Sequence, residues 1–255
     1  MSGPRRIVSL VPSTTESVCG LGHGAALVGC TRWCEEPAAQ LAQVQRIGGT
    51  KNPDREAVLA LAPDLVLANA EENRAEDLAW LQQRVPVLVQ TPRSVREAAA
   101  ALRELAQALG DVEAAVPWLL RIEAELAAAE VERLRAAPLR AFYAIWRKPW
   151  MSVNADTFVH DALRCSGFAN VTAALPVRYP EVDLAAVRAL APDVVLLPSE
   201  PWAFTAADRD ALQHEGTFGS AVVAVCDGRD FCWHGVRMAE GLGRARRLAA
   251  ALRCR

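Results

Sequence analysis

Short apolar runs alternate along the chain with stretches in which apolar residues recur at helical spacing. The runs fall at 6–11, 27–31, 65–69 and 86–89, and again at 139–145, 193–198 and 221–226. Rich in branched residues and bounded by Pro, Asp or Gly, they predict buried strands. Helices are expected between them at 14–20, 54–61, 73–83 and 94–109, and later at 156–166, 183–190, 206–213 and 236–252. Strand alternating with helix predicts parallel sheets covered on both faces. Thr157, after Asp156, marks a helix start, and Gly167 a left-handed residue at a helix end. Ser13-Thr14-Thr15-Glu16 resembles a capping box in which Ser13 and Glu16 satisfy early helix donors.

One pattern occurs twice. Residues 57–67 read AVLALAPDLVL and residues 186–196 read AVRALAPDVVL, nine identical positions of eleven at a separation of 129 residues. In each copy an apolar helical stretch runs into Ala-Pro-Asp. Proline disfavours the helical conformation in the residue before it, so the helix stops there and a strand follows. Equivalent helix–turn–strand units in the two halves predict two similar α/β lobes, and a two-lobed protein has a cleft suited to a small molecule. Between the halves, residues 111–136 are rich in Ala, Leu, Glu and Arg, with apolar residues at 116, 119, 122, 126 and 134 forming one stripe. A helix of about 25 residues would be about 38 Å long, a strut rather than a hinge. The expected organisation is an N-terminal lobe over 1–110, a backbone helix over 111–137 and a C-terminal lobe over 138–255.

The net charge of −2 gives no pointer to nucleic acid, and no apolar run is long enough to span a bilayer. The basic stub Met1–Arg6 leads into only five strand-like residues, too few for a secretory core, so a cytoplasmic protein is expected, with a periplasmic one as the alternative if the chain has been trimmed. Seven cysteines, an odd number, fit a reducing compartment. Cys30 and Cys34, with Cys232 and His234, have spacings open to a zinc site, but the neighbours are not those of a zinc knuckle and buried free thiols are the preferred reading.

Catalytic motifs are thin: there is no G-x-S-x-G, Walker loop or H-E-x-x-H. Gly20-x-Gly22-x-Gly24 follows a helix and reads as a helix end, since a dinucleotide loop must follow a strand. The aromatics carry more. Trp33, Trp146, Trp150, Tyr179, Trp202, Phe204, Phe231 and Trp233 lie mostly in loops after strands, beside Pro, Gly and charge. Loops after strand C-termini carry the ligand in a parallel α/β sheet. Flat apolar walls with polar edges suit a large planar ligand, the alternative being ordinary loop packing.

The opening RIVSLVPSTTE, the segment GGTKNPDREAVLALAPDLVLA, the long mid-chain helix, the paired APD segments, WRKPWMSV, VRYPEVD and LLPSEPW together resemble the helical-backbone (class III) substrate-binding proteins of ABC importers, most closely the cobalamin-binding members. The likeness covers nearly the whole chain. It implies two Rossmann-like α/β lobes with parallel sheets on a long rigid helix, a non-catalytic binding role, a corrinoid such as cobalamin (vitamin B12) held between the lobes, and a monomer. It places Pro12, Ser13, Trp33, Trp146, Trp150, Tyr179, Trp202, Phe231 and Trp233 in ligand-binding loops. His234 is left unassigned as an axial metal ligand, because relatives need no protein ligand to cobalt. The resemblance also implies an exposed docking acid for an ABC permease on each lobe. The first matches Glu56, but the second position holds Ala185, which puts importer coupling in doubt and favours a cytosolic corrinoid carrier or sensor. The alternatives are a haem or ferric-siderophore binder, with Arg147, Lys148 and Arg178 available to an anionic ligand beside Glu200 and Asp230, and an enzyme using a cofactor in the cleft.

Overall fold

The computed structural model describes residues 3–254; Met1 and Ser2 of the basic stub lie outside the described residues. The chain divides into two compact units. Unit 1 takes the chain up to Pro92 together with Arg96–Leu120 and His234–Arg237; unit 2 takes Arg93–Val95, Arg121–Trp233 and Met238 onwards. The division falls inside the long helix, and four residues from the last quarter of the chain belong to unit 1.

In unit 1 the elements run β1 (Ile7–Ser9), α1 (Pro12–Gly20), β2 (Leu27–Cys30), α2 (Ala38–Leu41), β3 (Gln45–Arg46), β4 (Gly48–Gly49), β5 (Asn52–Pro53), α3 (Arg55–Ala60), β6 (Leu65–Ala68), α4 (Ala75–Gln82), β7 (Val87–Val89) and α5 (Val95–Ala108). The sheet has the order β3-β2-β1-β6-β7 with every pair parallel. Val8, Leu10, Ile47, Val58, Val66 and Leu81 form its core.

After a short 3₁₀ turn capped by Asp111, α6 (Val116–Arg135) runs for 20 residues, about 30 Å. Its expected apolar stripe is only partly buried. Ile122 and Leu126 are covered, whereas Leu134 is 85% exposed and Val116 is also open. Helix propensity, not burial, carries the last turns.

Unit 2 continues with β8 (Leu139–Tyr143), β9 (Trp146–Arg147), β10 (Trp150–Met151), α7 (Phe158–Cys165), β11 (Phe168–Asn170), α8 (Leu184–Ala189), β12 (Val194–Pro198), α9 (Ala206–His214), β13 (Val222–Cys226), α10 (Arg229–Cys232) and α11 (Met238–Arg253). Its parallel sheet has the order β11-β8-β12-β13. Side chains alternate across it: Ala141, Tyr143, Val194 and Leu196 face one core, and Phe142, Val195 and Leu197 the other. Two-sided burial explains why β12 reads as a continuous apolar run.

The repeated segments fold alike in detail. Asp54 and Asp183 are the N-caps, each accepting a 3.0 Å bond, from the Ala57 and Ala186 amides. The helices end at Ala62 and Ala191, which take positive φ values of 44° and 47° in front of the prolines. Left-handed backbone costs an alanine about 1–2 kcal/mol, and nearby bonds offset it. Asp64 Oδ2 accepts from the Arg5 and Arg6 amides at 2.8 and 3.0 Å, and Asp193 Oδ2 from the Arg140 amide at 2.7 Å. Arg6 reaches back to the Leu61 carbonyl at 2.6 Å, and Arg140 to that of Leu190 at 2.5 Å, closing helix-end acceptors that have no partner in the ladder. The strands that follow hold equivalent places, β6 between β1 and β7 and β12 between β8 and β13.

The expected cap at the start of α1 is corrected. Val11 is the N-cap and makes no side-chain cap bond, because Pro12, with its preset φ and missing N–H, occupies the first turn. Ser13 therefore lies inside the helix and Glu16 turns elsewhere. Thr157 does cap α7, accepting from the His160 amide, and Gly167 has φ +87°. α1 ends at Gly20 and Gly22 has φ +84°, a helix end as expected. The short elements β3–β5, β9, β10, β11, α2 and α10 carry no periodic signal.

Asp193→Ala removes the side-chain acceptor for the Arg140 amide at the head of β8. It should cost about 1–2 kcal/mol in urea unfolding. Asp210→Ala, which removes an exposed pairing with the adjacent Arg209, should cost near zero. Equal midpoints for the two variants would show that the clasp carries no stability.

Candidate functional site

Ligand contacts in a parallel sheet concentrate on the loops that leave the C-terminal ends of the strands. In unit 1 the loop after β1 runs straight into α1, so Pro12 and Ser13 stand at the helix N-terminus. Ser13 is buried, with Oγ 3.4 Å from Nε2 of the buried His234. The 234–237 segment lies against α1. The Val236 amide donates to Ser17 Oγ at 3.2 Å, and Arg237 grips Glu16 in two bonds of 2.9 and 2.5 Å. Gly235 has φ +86°, and a Cβ there would sit 2.0 Å from Ser17 Oγ, so a side chain would push the segment off. After β2, Trp33 is 58% exposed, its indole nitrogen above Gly49.

Flanking Trp33 in the chain are two buried thiols, Cys30 and Cys34. Cys34 Sγ is 3.1 Å from Thr15 Oγ1 and 3.2 Å from Thr31 Oγ1, and the Arg46 guanidinium donates to Cys30 Sγ at 2.8 Å. A hydrogen bond from Cys30, helped by those hydroxyls, draws Cys34 down to about 7; the same bond and burial push Cys30 up. A guanidinium on the sulfur is a poor neighbour for a metal cation. Among the described residues no group of three or more His, Cys, Asp or Glu could hold a metal ion.

The unit 2 edge gathers aromatics. β9 and β10 form a small antiparallel hairpin that carries Trp146 and Trp150. Trp146, 37% exposed, meets Trp202 edge-on at 4.9 Å between centroids; Trp202 neighbours Phe204 at 6.4 Å; and Phe204 stacks on Trp150 at 5.7 Å. Tyr179, 41% exposed, lies on a segment tied to 150–154 by backbone bonds from Ser152 to Pro180, Asn154 to Arg178 and Val182 to Trp150. The structure therefore assembles Trp146, Trp150 and Trp202 into one cluster and holds Tyr179 on a braced loop. Phe204, which the sequence left in the background, completes the cluster.

Two expected loop aromatics are corrected. Phe231 is 1% exposed and packs on Tyr143 and Phe168 at 5.4 and 6.1 Å, because the one-turn helix α10 turns it into the core. Trp233 is buried and donates its indole N–H to Glu200 Oε1. Tyr143 is fully buried in the same region, which raises its hydroxyl well above the usual range, and that hydroxyl has no hydrogen-bond partner among the described residues.

Charge along this edge is largely cancelled. Arg147 pairs with Asp208, Arg178 with Asp156 at 3.4 Å, and Arg229 with Asp227 at 2.9 Å. Two of the three cations available to an anionic ligand, Arg147 and Arg178, are thus engaged. Glu56 is exposed in the first turn of α3, one place after Arg55, and Ala185 stands at the same place in α8.

A family model described as periplasmic binding protein matches residues 7–220. The vitamin B12-binding protein of Pectobacterium carotovorum subsp. carotovorum is 27% identical over 210 residues, covering 78% of this chain and 72% of that protein. The vitamin B12-binding protein of Vibrio parahaemolyticus serotype O3:K6 is 28% identical over 193 residues, 74% of this chain and 69% of that one. Among solved structures, the periplasmic vitamin B12 binding protein of Vibrio cholerae matches with a TM-score of 0.87 over 100% of both chains at 20% identity, a likeness of fold. A periplasmic heme-binding protein solved with two hemes matches with a TM-score of 0.83 over 98% of this chain and 100% of that one at 25% identity.

Burial lowers the pKa of His234 to about 4, so the folded protein keeps it neutral. An unfolded chain binds that proton below about pH 6.5. Stability is therefore unaffected above pH 7 and falls as pH drops from about 6.5 towards 4. Between pH 7 and pH 5 the protein should lose about 2 kcal/mol that His234→Gln does not lose, read as the difference in urea midpoints. Parallel pH profiles for the two proteins would show that His234 titrates freely in the folded state.

Proposed function

Because the chain belongs to the periplasmic binding protein family, we propose that it binds a large planar metal chelate, a corrinoid of the cobalamin class, without catalysing a reaction on it. The relatives named above as vitamin B12-binding proteins support this ligand. The observation that carries the reading is the aromatic cluster Trp146–Trp202–Phe204–Trp150 at the ligand-bearing edge of unit 2, with paired arginines beside it. Such a surface offers flat apolar contact and little positive charge, which suits a macrocycle whose rim is neutral. On unit 1 the proposed contacts are Pro12, Ser13 and the open Trp33; on unit 2 they are Trp146, Trp150, Trp202 and Tyr179. His234, committed to Ser13, is not proposed as a ligand to the metal.

The family description fits the periplasmic alternative, not the cytoplasmic expectation, and among the described residues no helix is long and apolar enough to cross a membrane. An ABC permease is the partner this family implies. Glu56 is the proposed docking acid, and Asp183, the acid nearest Ala185, is engaged as the α8 cap. Haem is the second reading, favoured by the likeness to the heme-binding structure.

The purified protein, incubated separately with cyanocobalamin and haem and then desalted, should keep the cobalamin absorption spectrum. Retention of haem alone would favour the second reading, and retention of neither would remove both. Trp33→Ala and Tyr179→Ala should each weaken cobalamin binding, since loss of a flat apolar contact costs about 1–3 kcal/mol, roughly fivefold to 150-fold in Kd. Calorimetric titrations unchanged in both variants would take these side chains out of the site.

A further inference from the structure

We propose that Glu200 selects the ligand by its rim chemistry, accepting a hydrogen bond from a peripheral carboxamide N–H and turning away a macrocycle that carries a carboxylate there. The proposal rests on the corrinoid reading above and names the group within that site that distinguishes a neutral rim from an anionic one.

Glu200 lies two residues beyond β12, on the edge that carries the aromatic cluster, and Trp202 follows it by two positions. Its carboxylate is fixed from one side. The Trp233 indole N–H and the Cys232 thiol, at 3.2 Å, both donate to Oε1. The turn beneath is locked as well: the Ser199 amide donates to the Cys226 carbonyl at 3.0 Å, and the Gly228 amide to Ser199 Oγ at 3.0 Å. A Cβ on Gly228 would lie 2.7 Å from the Glu200 carbonyl oxygen and 3.0 Å from its amide nitrogen, so the two turns meet this closely only because residue 228 is glycine. The side chain is held at an address.

The second oxygen is differently placed. Among the described residues no donor reaches Oε2 and no basic side chain pairs with Glu200. The adjacent arginine, Arg229, is committed to Asp227 through Nε at 3.0 Å and Nη2 at 2.9 Å. Burial raises the Glu200 carboxyl pKa despite the two donors and the nearby Arg229 charge, which lower it, and Asp227 adds a smaller rise. Oε1 is thus occupied by protein donors while Oε2 has none, which leaves it open to a neutral N–H donor from a ligand. A ligand carboxylate does the opposite, bringing a negative charge up to the Glu200 carboxylate while Arg229, the nearest cation, is already paired with Asp227.

The ligand chemistries separate on this point. The corrin rim carries primary carboxamides, which donate; haem carries propionates, which do not; and a corrinoid with one amide hydrolysed differs from cobalamin by a single carboxylate. Such a site rejects the wrong rim through repulsion as much as it attracts the right one.

The test titrates the intact wild-type chain, Glu200→Gln and Glu200→Ala with cyanocobalamin and with the separated isomers of its monocarboxylic acid, after circular dichroism confirms folding. Glutamine keeps the shape and the oxygen that Trp233 and Cys232 need but turns an NH2 group to the ligand in place of Oε2, so in Glu200→Gln the preference for cobalamin over at least one acid isomer should shrink about tenfold. Glu200→Ala should weaken cobalamin binding about tenfold. A wild type that binds cobalamin, with preference ratios unchanged in Glu200→Gln for every isomer, overturns the role of Glu200 and leaves the corrinoid reading standing. A wild type that retains no corrinoid overturns that reading and this proposal with it.

Discussion

The clasp between an aspartate at the end of one helix–turn segment and the backbone at the head of the neighbouring strand sets the geometry of each unit. Asp64 accepts from the Arg6 amide while its own amide donates to the Arg6 carbonyl at 2.8 Å; Asp193 and Arg140 repeat both bonds. Two bonds between the same pair fix register, because a slip of one residue would break both and turn every side chain of the strand to the wrong face. The register that follows pairs Ile7 with Leu65 and Ala141 with Val194. From there the C-terminal ends of the central strands come level, and the loops that leave them start from a common edge. The strained alanines before the prolines are tolerated because the arginines close the carbonyls of the same turn.

Once the edge is level, burial and pairing decide what each loop presents. In unit 2 the chain spends aromatic side chains in two ways. Phe231 and Trp233 go inward, one to fill the core and one to hold an acid, while Trp146, Trp202 and Tyr179 keep accessible faces. Charge is treated similarly. The arginines beside the cluster are each opposed by a carboxylate, and an arginine already engaged offers a new anion less than a free one would. The surface that remains has apolar faces and isolated acceptors, the character expected for contact with a large neutral ring system.

Much of this fold is legible along the chain because its punctuation is local. Pro63 and Pro192 stop helices, Asp54 and Asp183 start them, and the branched runs between them are too short and too apolar to be anything but strands. Residues whose roles depend on distant partners were not legible. Glu16 reads as a cap from its neighbours, yet it serves Arg237, 221 residues away. Phe231 reads as a loop aromatic, and only the turn made by α10 shows it to be core. Glu200 stands out from the other acids only through Trp233, 33 residues further on. The hairpin of β9 and β10 is two residues per strand, below the length at which alternation can be seen.

The internal repeat separates what folding requires from what binding requires. Positions that build the clasp are the same in both halves: the capping aspartates, the alanines with positive φ, the prolines, the accepting aspartates and the arginines at the strand heads. Geometry demands this, since a parallel strand that follows a helix end of this shape has few ways to satisfy the same backbone groups. Positions outside the clasp are free to differ, and they do. Glu56 faces solvent where the second half has Ala185, and Trp33 in unit 1 has no counterpart in the hairpin, cluster and acid of unit 2. Two copies of one scaffold are finished with different loops, an open Trp33 on unit 1 and an aromatic cluster beside a fixed acceptor on unit 2, because the backbone constraint that makes the clasps alike does not reach these positions.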